Sequence, residues 1–211
     1  MSGTSSSAST AACPSGKVVI GGGFTTGNQA ANVYDSFPAA GGTGWTVGMK
    51  NENIDLTSSI TIAPLAVCVD RPAGYEIRDK RILLSSNQRG SVAASCTDLT
   101  LTLIGGGYSS RDPLVSNFGS SFDPAVVSGT TVSSAPTTWV SAFRSHHPVA
   151  ASSGVNSYAI CLGNGAVSES YVASPTTTVG TQSRATLTQA CDSTSPQTMV
   201  ASAGVSANVS P

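Results

Sequence analysis

Charge is the first thing this sequence lacks. Only 10% of its 211 residues are Asp, Glu, Lys or Arg, against about 25% in an average soluble domain. The net charge is −1, which argues against nucleic acid or an anionic membrane surface as a partner, since both are captured by clustered Lys and Arg. The densest basic run, Arg78 to Arg81, is interrupted by Asp79 and has Glu76 beside it. Aromatic residues are scarce too, at 6%, so any interior must be built mainly from Val, Ile, Leu and Ala. No apolar run approaches the roughly 18 residues of a membrane span, so no membrane insertion is expected. No helical period of useful length is present. Low charge with 39% apolar residues also excludes disorder of the usual kind, which couples low hydrophobicity to high charge.

Several chemical signatures are missing as well. There is no GxxxxGK[ST], no GxGxxG, no GxSxG elbow and no HExxH. The eleven carboxylates are scattered. No enzyme activity and no cofactor are expected. The beginning, MSGTSSSAST, has neither a charged n-region nor an apolar h-region and is not a secretory leader. An exported protein with this beginning would have had its leader removed, with Met1 an added initiator. A virion surface protein released without a leader would look the same.

What is present is an internal repeat, the feature to seek before any other. CPSGKVVIGGGFTT starts at Cys13 and CTDLTLTLIGGGYSS at Cys96. Each Gly triplet is followed by an aromatic residue, Phe24 or Tyr108. A Ser-aromatic-(x)-Pro element comes next, Ser36-Phe37-Pro38 and then Ser121-Phe122-Asp123-Pro124. GWTVGMK and TWVSAFR follow, each with a Trp (Trp45, Trp139), an apolar residue four later (Met49, Phe143) and a base five later (Lys50, Arg144). Each copy closes on an apolar strand ending in Cys, LAVC at Cys68 and YAIC at Cys161. A stretch with a Tyr (Tyr75, Tyr171) then leads to a Ser/Ala/Thr-rich approach to the next Cys. The approaches SSSASTAAC, GSVAASC and RATLTQAC match one another, and TMVASAGV after Cys191 is a degraded echo of VVIGGG. The organisation read from this is 1–72 for a first repeat with its lead-in, 73–165 for a second, and 166–211 for a lead-in and partial third repeat.

The layout resembles secreted tandem-repeat proteins of actinobacteria and other filamentous soil bacteria, most of them without an assigned function. The motifs that carry the resemblance are CPSGKVVIGGG at 13–23, WTV at 45–47, LAVC and YAIC, and RPAGY at 71–75. It departs at Cys96, where Thr97 and Leu99 stand for the Pro and Gly, and it fails after Cys191. The resemblance implies a β fold and export, and it brings no established reaction.

KVVI, WTVGM, SITIAPLAVCV, RILL and LTLTLI are short, β-branched runs bounded by Gly, Pro, Asn or Ser, and they read as strands. In WTVGM the period of two places Trp45, Val47 and Met49 on one face. Alternation between Ser59 and Pro64 does the same, and Asn164-Gly165 is a hairpin signal. Roughly five or six strands per repeat predict an all-β fold of tandem antiparallel β-sandwich or β-prism-like units stapled by disulfides.

The five cysteines, with no CxxC and no His at ligand spacing, argue against zinc and for disulfides. Two pairings respect the repeat. Cys13–Cys68 with Cys96–Cys161 leaves Cys191 over; Cys68–Cys96 with Cys161–Cys191 leaves Cys13 over. The first is favoured, because neighbouring antiparallel strands would bring the start of the GGG strand to the end of the closing strand. The leftover Cys191 is then unpaired or intermolecular.

The remaining tempting residues have bland readings. Gly triplets at strand ends mark a bulge or a close backbone approach rather than a phosphate loop, which would need a helix N-terminus. Trp45 and Trp139 read as core rather than as sugar platforms. Phe24 and Tyr108, beside the GGG turns, are the better candidates for ligand contact. His146 and His147 are adjacent, point to opposite faces of a strand, and read as a solvated strand end. Asn208-Val209-Ser210 is a formal glycosylation sequon followed by Pro211, and carries little weight. The function expected from this pattern is a structural protein of the extracellular space, the cell surface or a virion surface that self-associates into filaments by strand exchange. The alternative is a lectin-like or adhesive module that binds a glycan or cell-surface ligand.

Overall fold

The computed structural model describes residues 6–26, 31–52, 59–98, 100–123, 127–128, 131–132, 136–148, 151–163 and 205–206. Cys191, Tyr171, the Asn164-Gly165 turn, the sequon and all of 166–211 except 205–206 lie outside them. The described chain is nearly all β, in antiparallel sheets. Its strands are β1 (Ser6–Ala12), β2 (Lys17–Thr26), β3 (Ala31–Pro38), β4 (Gly44–Asn51), β5 (Ile62–Asp70), β6 (Glu76–Ser85), β7 (Arg89–Ser95), β8 (Leu101–Ser109), β9 (Val115–Phe122), β10 (Val127–Ser128), β11 (Thr131–Val132), β12 (Thr138–Ser145), β13 (Ser152–Gly163) and β14 (Val205–Ser206). Ser59 to Thr61 stay outside β5, but the alternation of exposed and half-buried residues runs from Ser59 through Pro64 as read.

The pairing scheme of the first set of strands recurs in the second. The Trp strand β4 lies between β1 and β3, and the Trp strand β12 lies between β7 and β9. The GGG strand β2 pairs with the closing strand β5, and β8 pairs with the closing strand β13. Register agrees residue by residue: Gly22 faces Ala66 as Gly106 faces Ala159, and Val19 faces Cys68 as Leu103 faces Cys161. Both ladders skip the residue before the triplet, Ile20 in one and Ile104 in the other, so each GGG strand carries a bulge at the same place. One junction joins the two sets into a six-stranded sheet: Asp35 and Ser36 of β3 pair with Ser109 and Tyr108 of β8. The far edge of that sheet is β6, whose exposed Arg78, Asp79, Lys80 and Arg81 place the densest charge of the chain where it discourages edge-to-edge pairing.

The middle glycine of each triplet is required by a tryptophan. A Cβ at Gly22 would overlap Cγ and Cδ2 of Trp45, and one at Gly106 would overlap the same atoms of Trp139. Each indole therefore lies flat on the middle glycine of its own triplet, and only glycine leaves that space. A side chain as well as a backbone makes the close approach. Both indoles are buried, at 2% and 3% exposure, which rules them out as sugar platforms. Each Nε1–H donates to a buried serine, Trp45 to Ser36 at 3.0 Å and Trp139 to Ser120 at 2.7 Å. These bonds align Ser36 with Ser120, one residue from the match that the Ser-aromatic-Pro elements suggest.

Cys13 is bonded to Cys68 and Cys96 to Cys161, with Cα–Cα distances of 5.7 and 5.9 Å. The GGG and closing strands are antiparallel neighbours, start against end, as expected, but the first half-cystine of each pair sits before the GGG strand rather than on it. Cys13 and Cys96 prolong the β1–β4 and β7–β12 ladders, their N–H groups donating to Thr43 and Thr137 carbonyls. Each disulfide therefore crosses from one sheet to another, next to a tryptophan, rather than joining neighbouring strands. Strand β13 is buried on both faces. Ala159 and Cys161 pack with Trp139, Leu103 and Ala94, while Ile160 joins Val19, Trp45 and Val47. The RPAGY segment anchors this contact: Tyr75 donates its hydroxyl to the Val19 carbonyl at 2.7 Å, and burial pushes its pKa up to about 12, against the nearby Arg71 charge.

Candidate functional site

Phe24 and Tyr108 come together. Both line a cleft of about 420 Å3 between the edge of β2 (Gly22, Gly23) and residues 117–120 of β9, which also reaches Gly106, Gly107, Ser36 and the two indoles. They are not equivalent in exposure. Phe24 is 37% exposed, whereas Tyr108 packs edge-on against Phe143 at 6.3 Å, and burial raises its hydroxyl pKa. Tyr108 is thus part of the packing, and Phe24 is the open aromatic of the pair. Among the described residues β2 has a ladder partner on one edge only, β5. The facing strand β9 holds β14, with Ser120 opposite Val205 and Gly119 opposite Ser206. β9 is therefore a wall of the cleft, and it carries β14 on the edge away from β12.

The junction between β3 and β8 contains a carboxylate that no motif signalled. Asp35 is 5% exposed, and its Oδ1 accepts the N–H groups of Ser110 and Arg111 at 2.9 and 3.0 Å. Arg111 itself has φ 51°, a left-handed conformation unusual outside glycine. Burial raises the Asp35 pKa above its ordinary value, and the two N–H bonds offset this only in part. A carboxyl whose folded pKa is raised binds its proton more tightly in the native state. Its contribution to stability is greatest below the unfolded pKa, about 3.9, and declines as pH rises through the folded value. Asp35→Asn keeps an oxygen acceptor and loses the charge. The variant is expected to gain stability relative to the parent as pH goes from 3 to 7, measured by denaturant melts at both values. A difference independent of pH would contradict this.

The histidines fall just after β12. His146 is exposed, with Nε2 2.8 Å from Ser116 Oγ. His147 departs from the solvated reading: its side chain is 17% exposed, and Nε2 lies 2.7 Å from Asp112 Oδ2 and 2.9 Å from Ser153 Oγ. Ser153 Oγ also donates to Asp112 Oδ2. A nucleophilic relay uses the two ring nitrogens separately, one toward the carboxylate and one toward the serine. Here one nitrogen faces both, and the serine proton goes to the aspartate, so the cluster is a staple between the β8–β9 turn and the start of β13. Burial acts to raise the Asp112 pKa, but bonds from Ser153, His147 and the Leu114 N–H outweigh it and hold the carboxyl below its usual range.

A second cleft, about 540 Å3, is lined by Lys50, Glu52, Ser116 and His146 among others. Its polar groups are partnered, Lys50 with Glu52 at 3.6 Å and Glu52 with Asn32 at 3.0 Å. Among the described residues no group of three or more His, Cys, Asp or Glu could hold a metal ion, and no helix is long and apolar enough to cross a membrane. Two disulfides point to an oxidising compartment. Neither the family models, the curated proteins nor the solved structures contain a match to this chain.

Proposed function

We propose that this protein is a non-enzymatic, extracellular structural subunit that self-associates by strand pairing between chains, related to the secreted tandem-repeat proteins that its motifs resemble. One observation carries the reading. Counting outward from the Trp strands, β14 lies on β9 in the register in which β8 lies on β3: Ser120 opposite Val205 as Ser36 is opposite Tyr108. Each set of strands thus accepts a further strand on the edge of its Ser-aromatic strand, a rule that extends from chain to chain without new chemistry. Backbone ladders supply affinity in such strand addition, and contacts that do not close by rotation generate filaments. The disulfides support export, and Cys191 is a candidate for a covalent lock between subunits.

A second reading has its own support. A cleft of about 420 Å3 falls within the roughly 300–1,000 Å3 of small-ligand sites, and Phe24 offers an open face to a sugar ring. One experiment separates the two. Light scattering of the non-reduced protein across a wide concentration range is expected to show mean mass rising well beyond 21.1 kDa. A protein that stays monomeric throughout, yet binds a glycan panel and loses that binding in Phe24→Ala, would replace the assembly reading with the adhesive one.

A further inference from the structure

The internal junction and the β9–β14 junction share a register but not a hold. Asp35, which clamps the two N–H groups after β8, corresponds through the Trp-strand ladders to Gly119: Asp35 faces Gly48 and Gly119 faces Ala142, three residues past each tryptophan. Phe37, which stacks on Tyr158 at 5.0 Å, corresponds in the same way to Ser121. So Asp35, which clamps the backbone after β8, and Phe37, which reaches across β8 to Tyr158 of β13, are replaced on β9 by a hydrogen atom and a hydroxymethyl group. The cleft offers a further clue. A Cβ at Gly107 would strike the Ser36 carbonyl and the Phe37 backbone, because β3 lies against it, whereas one at the equivalent Gly23 meets nothing within 4 Å among the described residues. The β2 wall keeps the glycine that close strand packing requires, with no described strand against it.

We infer that the strand containing Val205 and Ser206 is an exchangeable donor strand: it pairs with the edge of β9 that faces away from β12, and it passes from its own β9 to that of a second copy of this chain. The inference rests on the self-association proposed above and names its moving part. Backbone pairing gives the same ladder in either molecule, so exchange costs no pairing. The Asp35 clamp and the Phe37 stack, which tie β3 to β8 and β13, have no counterpart side chains on β9. Subunits that each give a strand and take one form an open chain when the donor reaches outward.

The test uses directly opposed residues. In a full-length Cys191→Ser background, Gly119→Cys and Ser206→Cys are made separately and together, refolded with the native disulfides intact, and oxidised mildly. Mixing the two single variants is expected to give a covalent product at twice the monomer mass on a non-reducing gel, and the double variant a ladder that lengthens with concentration. A double variant that cross-links only within the monomer, with no product from the mixture, would overturn exchange and make β14 a fixed part of its own subunit. No cross-link in any sample would overturn the placement of the strand on β9 in solution. If native protein assembles in light scattering while these variants do not cross-link between chains, assembly survives and the donor strand falls. If neither occurs, both fall.

Discussion

Trp139→Ala is expected to destabilise the protein by about 3–5 kcal/mol, read as a fall in the urea midpoint with an unchanged slope. The indole is 3% exposed and packs with Ala94, Leu103, Ala159 and Cys161. Its seat is Gly106, and glycine has no side chain to move into the space that alanine would leave. Relaxation must come from strands held by a disulfide, so the cavity term stays near its full size. The polar loss is smaller. Ser120 Oγ, deprived of the Nε1–H, remains 3.1 Å from Ser141 Oγ, which lies 3.1 Å from Ser157 Oγ. Against a total stability of roughly 5–15 kcal/mol for a domain, the change would leave a substantial unfolded fraction. Trp45→Ala, at the equivalent seat on Gly22, should act similarly and also loosen β13, because Ile160 belongs to the same apolar cluster. A loss below about 1 kcal/mol at either position would mean the indoles do not organise these cores.

Strand content was legible because its signals are local. Period-two alternation in WTVGM and short β-branched runs need no knowledge of partners. Trp45, Val47 and Met49 are buried together at 2%, 0% and 5% exposure, as the alternation requires. The recurring order of Cys, GGG, Trp and Cys also marked the residues that meet in each unit. It did not say why they meet. A glycine seat under an indole joins residues from different sheets, and each half reads alone as a turn signal or an ordinary core aromatic. Aligning Ser-Phe-Pro with Ser-Phe-Asp-Pro by aromatic identity missed by one residue, since the constraint is the serine that accepts the Trp Nε1–H and the aromatic only follows it. Asp35 gave no signal at all: its partners, the N–H groups of Ser110 and Arg111, belong to backbone far along the chain. Tyr108 was legible as the counterpart of Phe24 but not as half-buried against Phe143, because it sits at the junction between the two sets of strands, which occurs once within the pairings described. The cleft has the same character, with walls from β2 and β9 that only the fold brings face to face.

Removing the second disulfide through the paired change Cys96→Ala with Cys161→Ala is expected to cost about 2–5 kcal/mol. The half-cystines are 65 residues apart, and closing a loop of that length restricts the unfolded chain by about 4 kcal/mol in the chain-entropy treatment. Native-state effects push the same way. Cys161 is fully buried, so alanine leaves a small void beside Trp139, and the bond that tied the β7–β12 sheet to β13 is gone. The first disulfide spans 55 residues and should contribute a similar entropic amount, with Cys13 only partly buried against its core. An interior with few aromatics and hydroxyls among its buried groups has little surplus to absorb either loss. Both paired changes together approach the whole stability of a domain, about 5–15 kcal/mol, so the quadruple variant should be unfolded at 37 °C by circular dichroism. If it stays folded there, with a urea-derived unfolding free energy within about 1 kcal/mol of the parent, the sheets hold without their staples. The two losses should not simply add, because β13 is shared: Cys161 anchors one of its faces and Ile160 packs the other into the core that Cys13–Cys68 supports. Loosening either face frees the strand from both, so the second removal is expected to cost less than it does alone.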